Sequence, residues 1–280
     1  VLAAVIIIIF FIPYTASGFA ACGKLFSSLF GMNYMTAMII SAVVIVAYTT
    51  AGGFFAASAT DFVQSIIMTV AIVFVLVFST ISAGGVDAVV ENAKALPGYL
   101  SLTASYIEDT GKSEPYNLLH IITTLSWGLG YFGMPHILLR FMAIEDEKKL
   151  RLSRRVASVW VVIAMAMAVL IGIVGRALSN TGLVDQLHGN DTETIIVRVA
   201  HLLSTYGAFP AIMAGLILAG ILASTMSTAD SQLLAAASSV SENILREAFH
   251  LKISEKKSML AARLTVIGIA ILGIIIARNP

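Results

Sequence analysis

An all-α, polytopic membrane protein is the fold class that the sequence predicts, and three observations predict it. Hydrophobic residues make up 58% of the 280 and charged residues only 12%, where soluble domains carry about 25% charged residues. Apolar windows long enough to span a bilayer, which takes about 20 residues, recur along the chain. Between them Lys and Arg gather in a few polar connections. A mean hydropathy of +0.93 agrees. The net charge of +1 gives no footprint for nucleic acid, because the cations are segregated by connection and form no single patch. Cys22 stands alone, so neither an internal disulfide nor a cysteine metal site is supported. His120, His136, His188, His201 and His250 lack the spacing of metal ligands.

Seven windows qualify as transmembrane helices: 1–26, 34–52, 61–83, 117–139, 157–178, 208–235 and 259–277. Pro13 interrupts the first, and the second is short. The chain opens at Val1 inside an apolar run and closes at Asn279-Pro280 after another, without an initiator Met, basic n-region or cleavage site. It is therefore expected to be an internal segment of a longer protein. The connection after the fourth span carries Arg140, Lys148, Lys149, Arg151, Arg154 and Arg155; the one after the sixth carries Arg246, Lys252, Lys256, Lys257 and Arg263. Two spans separate them, so they share one face, and the positive-inside rule makes that face cytoplasmic. The connections 84–116 and 179–207 then fall outside, each with a predicted surface helix. One has the stripe Val86, Val89, Val90 and Ala93; the other has Ile195, Ile196, Val199, Leu202 and Leu203 after a cap at Asp191 or Thr192. Covering an external vestibule and shielding helix ends are both open roles for them.

The fourth span contains Trp127-Gly128-Leu129-Gly130-Tyr131-Phe132-Gly133-Met134-Pro135-His136. Each interior Gly lowers helix propensity by about 1 kcal/mol and Pro by about 3, which predicts a break. Unwound backbone at membrane depth survives where it is buried in protein or lines a cavity, and secondary transporters build binding sites on such breaks. Trp127 and Tyr131, four apart, can offer two aromatic surfaces to one small ligand. An interfacial anchor and a packing kink remain the alternative reading.

In the sixth span, Ser224, Ser227, Thr228 and Ser231 recur at i, i+3, i+4 and i+7, so their oxygens share one helix face. Polar groups are costly at that depth and should face a protein interior or a hydrated cavity. Hydroxyl and carbonyl oxygens suit a hard monovalent cation. Small residues that let two helices approach closely are the alternative.

WGLGYFGMPHILLRFMA at 127–143 and LAGILASTMSTADSQLLAAASSVSENI at 218–244 resemble the sodium:solute symporter family, the first segment being close to its proline-transporting branch. The resemblance continues through TASGFAACGKLFSSLFGM at 15–32 and AGGFFAASATDFVQ at 51–64. It implies a LeuT-type inverted-repeat transporter core, present in part: residues 1–280 would form a single membrane transporter domain supplying core helices three to nine. It also implies a sodium site in which Ser227 and Thr228 give hydroxyls and Ser224 a carbonyl, the other ligands being carbonyls of the first core helix. Trp127, Tyr131, Pro135 and Tyr14 match substrate-binding or gating positions. Asp61 matches an acidic residue on the cytoplasmic sodium path, though as the first residue of the third window it can equally be an ordinary helix cap. Asp230 departs from the small polar residue usual there; facing the cytoplasmic path and bonding a neighbouring helix are both open for it.

The function so implied is secondary active transport, with the sodium ion coupled to a small amino acid, most simply proline, across the lipid bilayer. Aromatic walls would pack the proline ring and face its ammonium, and the amides of broken helices would take its carboxylate. The chain has no phosphate loop, metal motif or nucleophile with its base, so no enzyme is expected. Two rivals stand beside this reading: a sodium symporter for pantothenate, sugar, iodide or a short-chain acid, and the membrane input domain of a sensor histidine kinase.

Overall fold

The computed structural model describes residues 1–108, 110–251 and 254–279. Lys252 of the second basic connection and the terminal Pro280 lie outside the described residues. Nine α-helices dominate the described chain: α1 (Leu2–Phe30), α2 (Tyr34–Ser82), α3 (Val86–Ala95), α4 (Leu118–Gly130), α5 (Pro135–Met142), α6 (Glu147–Asn180), α7 (Ile195–Ser204), α8 (Ala208–Ser238) and α9 (Glu255–Ile276). A two-stranded antiparallel hairpin, β1 (Ala104–Ile107) with β2 (Lys112–Pro115), joins α3 to α4. Five helical stretches are long and apolar enough to cross a membrane. The seven sequence windows reduce to these five for two local reasons. The second and third windows fuse into α2, 49 residues long and bent where Gly53 adopts φ 56°, ψ −144°, a conformation open essentially to glycine alone. The fourth window divides into α4 and α5, neither long enough alone.

The chain folds into two compact units: residues 1–66, 135–143 and 221–280 form one, and residues 67–134 and 144–220 the other. In the first, α1, the start of α2, the end of α8 and α9 enclose a core of Phe11, Phe19, Met38, Ile45, Leu233 and Ile269. Alanines 235–237 of α8 let its partners come close, and Gly23 of α1 does the same for α2: a Cβ there would lie 2.8 Å from Met38 Cβ and 2.9 Å from the Tyr34 ring. Tyr34 donates its hydroxyl to the carbonyl of Ala277 at 2.7 Å, tying the start of α2 to the end of α9. Cys22 is buried beside Gly23, 1% exposed, and is a free thiol.

In the second unit, α3, α6, α7 and the flanking parts of α2 and α8 pack around Val75, Val89, Leu178, Val199, Leu203 and Ile217. Both predicted surface helices exist and bury part of their stripes here: Val89 and Ala93 on α3, Val199 and Leu203 on α7. The cap expected at Asp191 or Thr192 is not found, because residues 189–194 form a 3₁₀ turn and α7 begins after Thr194 without a side-chain cap. Outside the spans, Glu108 of the hairpin end accepts from Arg176 at 3.1 Å and lies 3.3 Å from His188. The Arg176 guanidinium sits 5.4 Å over the Tyr106 ring. The hydrogen bond from Arg176, followed by His188, holds the Glu108 carboxyl below its usual range.

Two connections differ from expectation. Residues 147–155 are the first turns of α6, with Asp146 as N-cap accepting from Lys148 N at 2.9 Å. Lys, Arg, Leu and Glu are good helix formers, so the helix extends past its apolar part. After α8, residues Ser239–Ala248 widen into a π-helix that closes with Phe249 N on Ile244 O.

Candidate functional site

The break expected in the fourth span is present. α4 starts from Asn117, whose side chain accepts from His120 N at 2.7 Å, and ends at Gly130. Residues Tyr131–Gly133 tighten into a 3₁₀ turn, Met134 is extended, and Pro135 opens α5, as a residue that needs no N–H bond can at the first turn. Trp127 and Tyr131 lie on the same side of this end, ring centroids 6.4 Å apart and planes at 46°. Both are exposed, Trp127 to 72%. They belong to the second unit, whereas Pro135 and Tyr14 belong to the first. There Tyr14 meets Phe11 edge-on at 6.4 Å, and His136, next to Pro135, meets Phe11 at 5.7 Å.

On α8 the polar face is built on one carbonyl. Ser227 Oγ and Thr228 Oγ1 both donate to Ser224 O, each at 3.1 Å. The helix stays unbroken through this stretch, so the hydroxyls return to carbonyls one turn back, the usual behaviour of Ser and Thr inside a helix. Three oxygen donors thus cluster at Ser224, Ser227 and Thr228, a hard set suited to sodium and unsuited to a soft metal.

One turn further on, a network appears that the sequence did not assemble. Arg140, counted in the sequence with the basic connection, turns inward from α5: its Nη2 donates to Asp61 Oδ2 and, at 2.6 Å, to Ser231 Oγ. Ser231 Oγ also lies 2.8 Å from the Ser227 carbonyl and 3.1 Å from Asp230 Oδ1, one of which takes its proton. Asp230 Oδ2 accepts from the Tyr48 hydroxyl at 2.8 Å. Next along, Thr15 Oγ1 donates to Gln232 Oε1 at 3.4 Å, linking α1 to α8. Thr15, Asp230 and Gln232 are at most 1% exposed. The guanidinium thus bonds Asp61 directly and reaches Asp230 only through Ser231, and Asp61 Oδ1 and Gln232 Nε2 are buried with no hydrogen-bond partner among the described residues.

Asp61 is thereby not a helix cap. α2 runs unbroken through it from beyond Gly53, and its carboxylate serves Arg140. Asp230 bonds a neighbouring helix, through Tyr48. Arg140, Tyr48, Thr15 and Gln232 are the residues missed; an inward Arg among apolar neighbours in ILLRFMA and a Gln inside a spanning window were the available signals. A cavity of about 690 Å³ in the first unit lies elsewhere, bordered by Thr49, Phe54, Leu139, Glu242, Arg246 and Arg263.

A long, mostly apolar helical chain with a broken helix, a helix of clustered hydroxyls and a buried acidic–basic network defines a multi-pass membrane transporter fold. Its likeness to a solved structure, a Na+-coupled sialic acid symporter in a substrate-bound outward-open state, has a TM-score of 0.80 at 18% identity, covering 99% of this chain and 57% of that one. The fold is that of part of a LeuT-type core. The sequence model of the sodium:solute symporter family matches residues 1–280, and the chain belongs to that family. It is 38% identical over 280 residues to the osmoregulated proline transporter OpuE of Bacillus subtilis, covering all of this chain and 54% of that protein. It is 36% identical over 283 residues to sodium/proline symporter 2 of Staphylococcus saprophyticus, covering all of this chain and 52% of that one. Identity is also 36% over 274 residues to the high-affinity proline transporter PutP of Bacillus subtilis, covering 98% and 54%. The chain spans about half the length of these curated relatives. Family membership and the apolar helices make it a multi-pass protein of the plasma membrane.

Proposed function

We propose that the protein containing this chain is a secondary active transporter that couples sodium entry to the uptake of proline. What carries the reading is the hydroxyl pair of Ser227 and Thr228 on the Ser224 carbonyl, in a chain whose relatives are named proline transporters. Sodium would be held by those two hydroxyls and by the Ser224 carbonyl, with its remaining ligands from the first core helix. Asp61 would lie on the ion's cytoplasmic path. In this reading residues 1–280 are one transporter domain supplying core helices three to nine, with the basic segments cytoplasmic.

Trp127 and Tyr131 would supply π faces for the substrate's ammonium and apolar area for its ring, and Tyr14 and Pro135 keep the substrate-binding or gating roles that the family resemblance gives them. Coupling requires only that sodium bind the substrate-competent conformation better than its alternative. One charge moving down 100 mV releases about 2.3 kcal/mol, enough for roughly fifty-fold accumulation. The process makes and breaks no covalent bond, so the protein is a carrier and not an enzyme.

Uptake of radiolabelled proline into proteoliposomes by the full-length protein tests the reading. Sodium-dependent uptake competed by excess proline, and not by glucose, pantothenate or iodide, is expected. Sodium-driven flux of another solute without proline uptake removes the substrate assignment and keeps the carrier.

A further inference from the structure

The cations at the start of α6 form a surface that neither the sodium nor the proline chemistry uses. Residues 156–175 hold no charged side chain. Twenty helical residues rise about 30 Å, the thickness of the bilayer's hydrocarbon core. Arg155 and Arg176 bracket that stretch, and one turn inside Arg155 the Trp160 Nε1 donates to Thr69 Oγ1 at 2.9 Å, fixing an aromatic ring at a boundary where such rings anchor helices. The helix nevertheless starts at Glu147. Its first turns therefore stand in the headgroup layer as ordered helix.

Within those turns the charges are sorted. Glu145, Asp146 and Glu147 occupy the tip farthest from the apolar stretch, and Lys149 pairs with Glu145 at 2.9 Å. Lys148, Arg151, Arg154 and Arg155 are exposed and have no acidic partner among the described residues. At 3.6 residues per turn these four fall within an arc of about 120°, which Glu147 shares only at its outer end, one turn before Arg151. Leu150, Leu152 and Val156 lie outside that arc and are exposed. Four unpaired cations on one helix face, held at headgroup depth, match a row of phosphates on a two-dimensional surface.

We propose that Lys148, Arg151, Arg154 and Arg155 form a binding surface for anionic phospholipid headgroups. A juxtamembrane cation near an anionic leaflet contributes roughly fivefold in affinity, so four acting together discriminate strongly between anionic and zwitterionic lipid. The phosphodiester is the recognised group, and the acyl chains confine it to the depth of the arginines.

Native mass spectrometry of the detergent-solubilised full-length protein, with equal phosphatidylglycerol and phosphatidylcholine added, reads the selectivity directly and needs neither transport nor membrane orientation. The natural protein should retain phosphatidylglycerol preferentially. The variant with Lys148→Gln, Arg151→Gln, Arg154→Gln and Arg155→Gln should lose about tenfold or more of that preference, and Arg151→Gln/Arg155→Gln, which is milder for folding, should lose part of it. Lys149→Gln should leave it in place. Glycerol phosphate, the headgroup without chains, should compete poorly. Equal selectivity in the natural protein and both multiple variants would overturn the proposal, as would displacement of the lipid by glycerol phosphate at comparable concentration, which would mark a free-anion site.

Discussion

Residues 224–232 of α8 and residues 127–136 at the α4–α5 break both offer polar groups within apolar spans, by opposite means. In α8 the helix is intact and the oxygens come from side chains, each returned to a carbonyl one turn back or tied to another helix through Arg140, Tyr48 or Thr15. At the break the helix gives way and backbone is freed, yet α4, the turn and α5 contain no buried residue. One region is cross-braced, the other only hinged. A small ion needs ligands held to within a fraction of an ångström, whereas a compact organic zwitterion tolerates walls that settle around it.

The brace should break most severely at Arg140. Arg140→Ala leaves Asp61, whose side chain is 10% exposed, without its counter-ion. A buried pair so broken costs about 3–5 kcal/mol, and the partial exposure of the guanidinium lowers this to about 2–3. Thermal unfolding of the full-length protein in detergent should fall accordingly, and Arg140→Lys should recover only part, since an ammonium lacks the fork that reaches both Asp61 and Ser231. An unchanged midpoint would remove Arg140 from the brace. Tyr48→Phe comes next, at about 1.5–2 kcal/mol, because it strips a donor from a fully buried carboxylate. Combining it with Asp230→Asn should cost less than the two singly, and strict additivity would deny their coupling.

The contrast between ion and substrate is sharpened by kinetics. Ser227→Ala or Thr228→Ala should raise the sodium concentration for half-maximal uptake about tenfold, an effect within the 1–3 kcal/mol of a lost buried ligand, with Thr228→Ser milder. Trp127→Ala should instead raise the proline requirement several-fold and leave the sodium requirement nearly unchanged. Both variants shifting both constants equally would erase the distinction between the regions. The smallest effect belongs to the hairpin. Glu108 has a lowered folded-state pKa, so the stabilisation from its Arg176 bond is complete above the ordinary Glu value and is lost as pH falls through the lowered one. Hydrogen exchange of residues 104–115 should therefore speed up below the usual carboxylate range, after correction for intrinsic rates, and Glu108→Gln should abolish that dependence.

The break was legible because Gly128, Gly130, Gly133 and Pro135 act locally, each through its own backbone. The hydroxyl face of α8 was legible because helical spacing is also local. The brace was not, since Asp61 with Arg140 and Tyr48 with Asp230 are 79 and 182 residues apart, and spacing along one helix carries nothing about such meetings. Gly53 was legible only in part: the second window ends just before it, but hydropathy reads such an end as a connection between two spans and carries nothing about a helix that bends there and continues. The extension of α6 was missed because a hydropathy window ends where charge begins, while helix propensity does not. The hairpin 104–115 is short and polar, without a strong alternating pattern.

Cys22 gives the tight α1–α2 crossing an experimental use. A thiol with almost no surface, packed where Gly23 lets Tyr34 and Met38 press in, is shielded from water-borne maleimides while the bundle is closed. Reaction at position 22 therefore becomes a clock for the parting of α1 from α2.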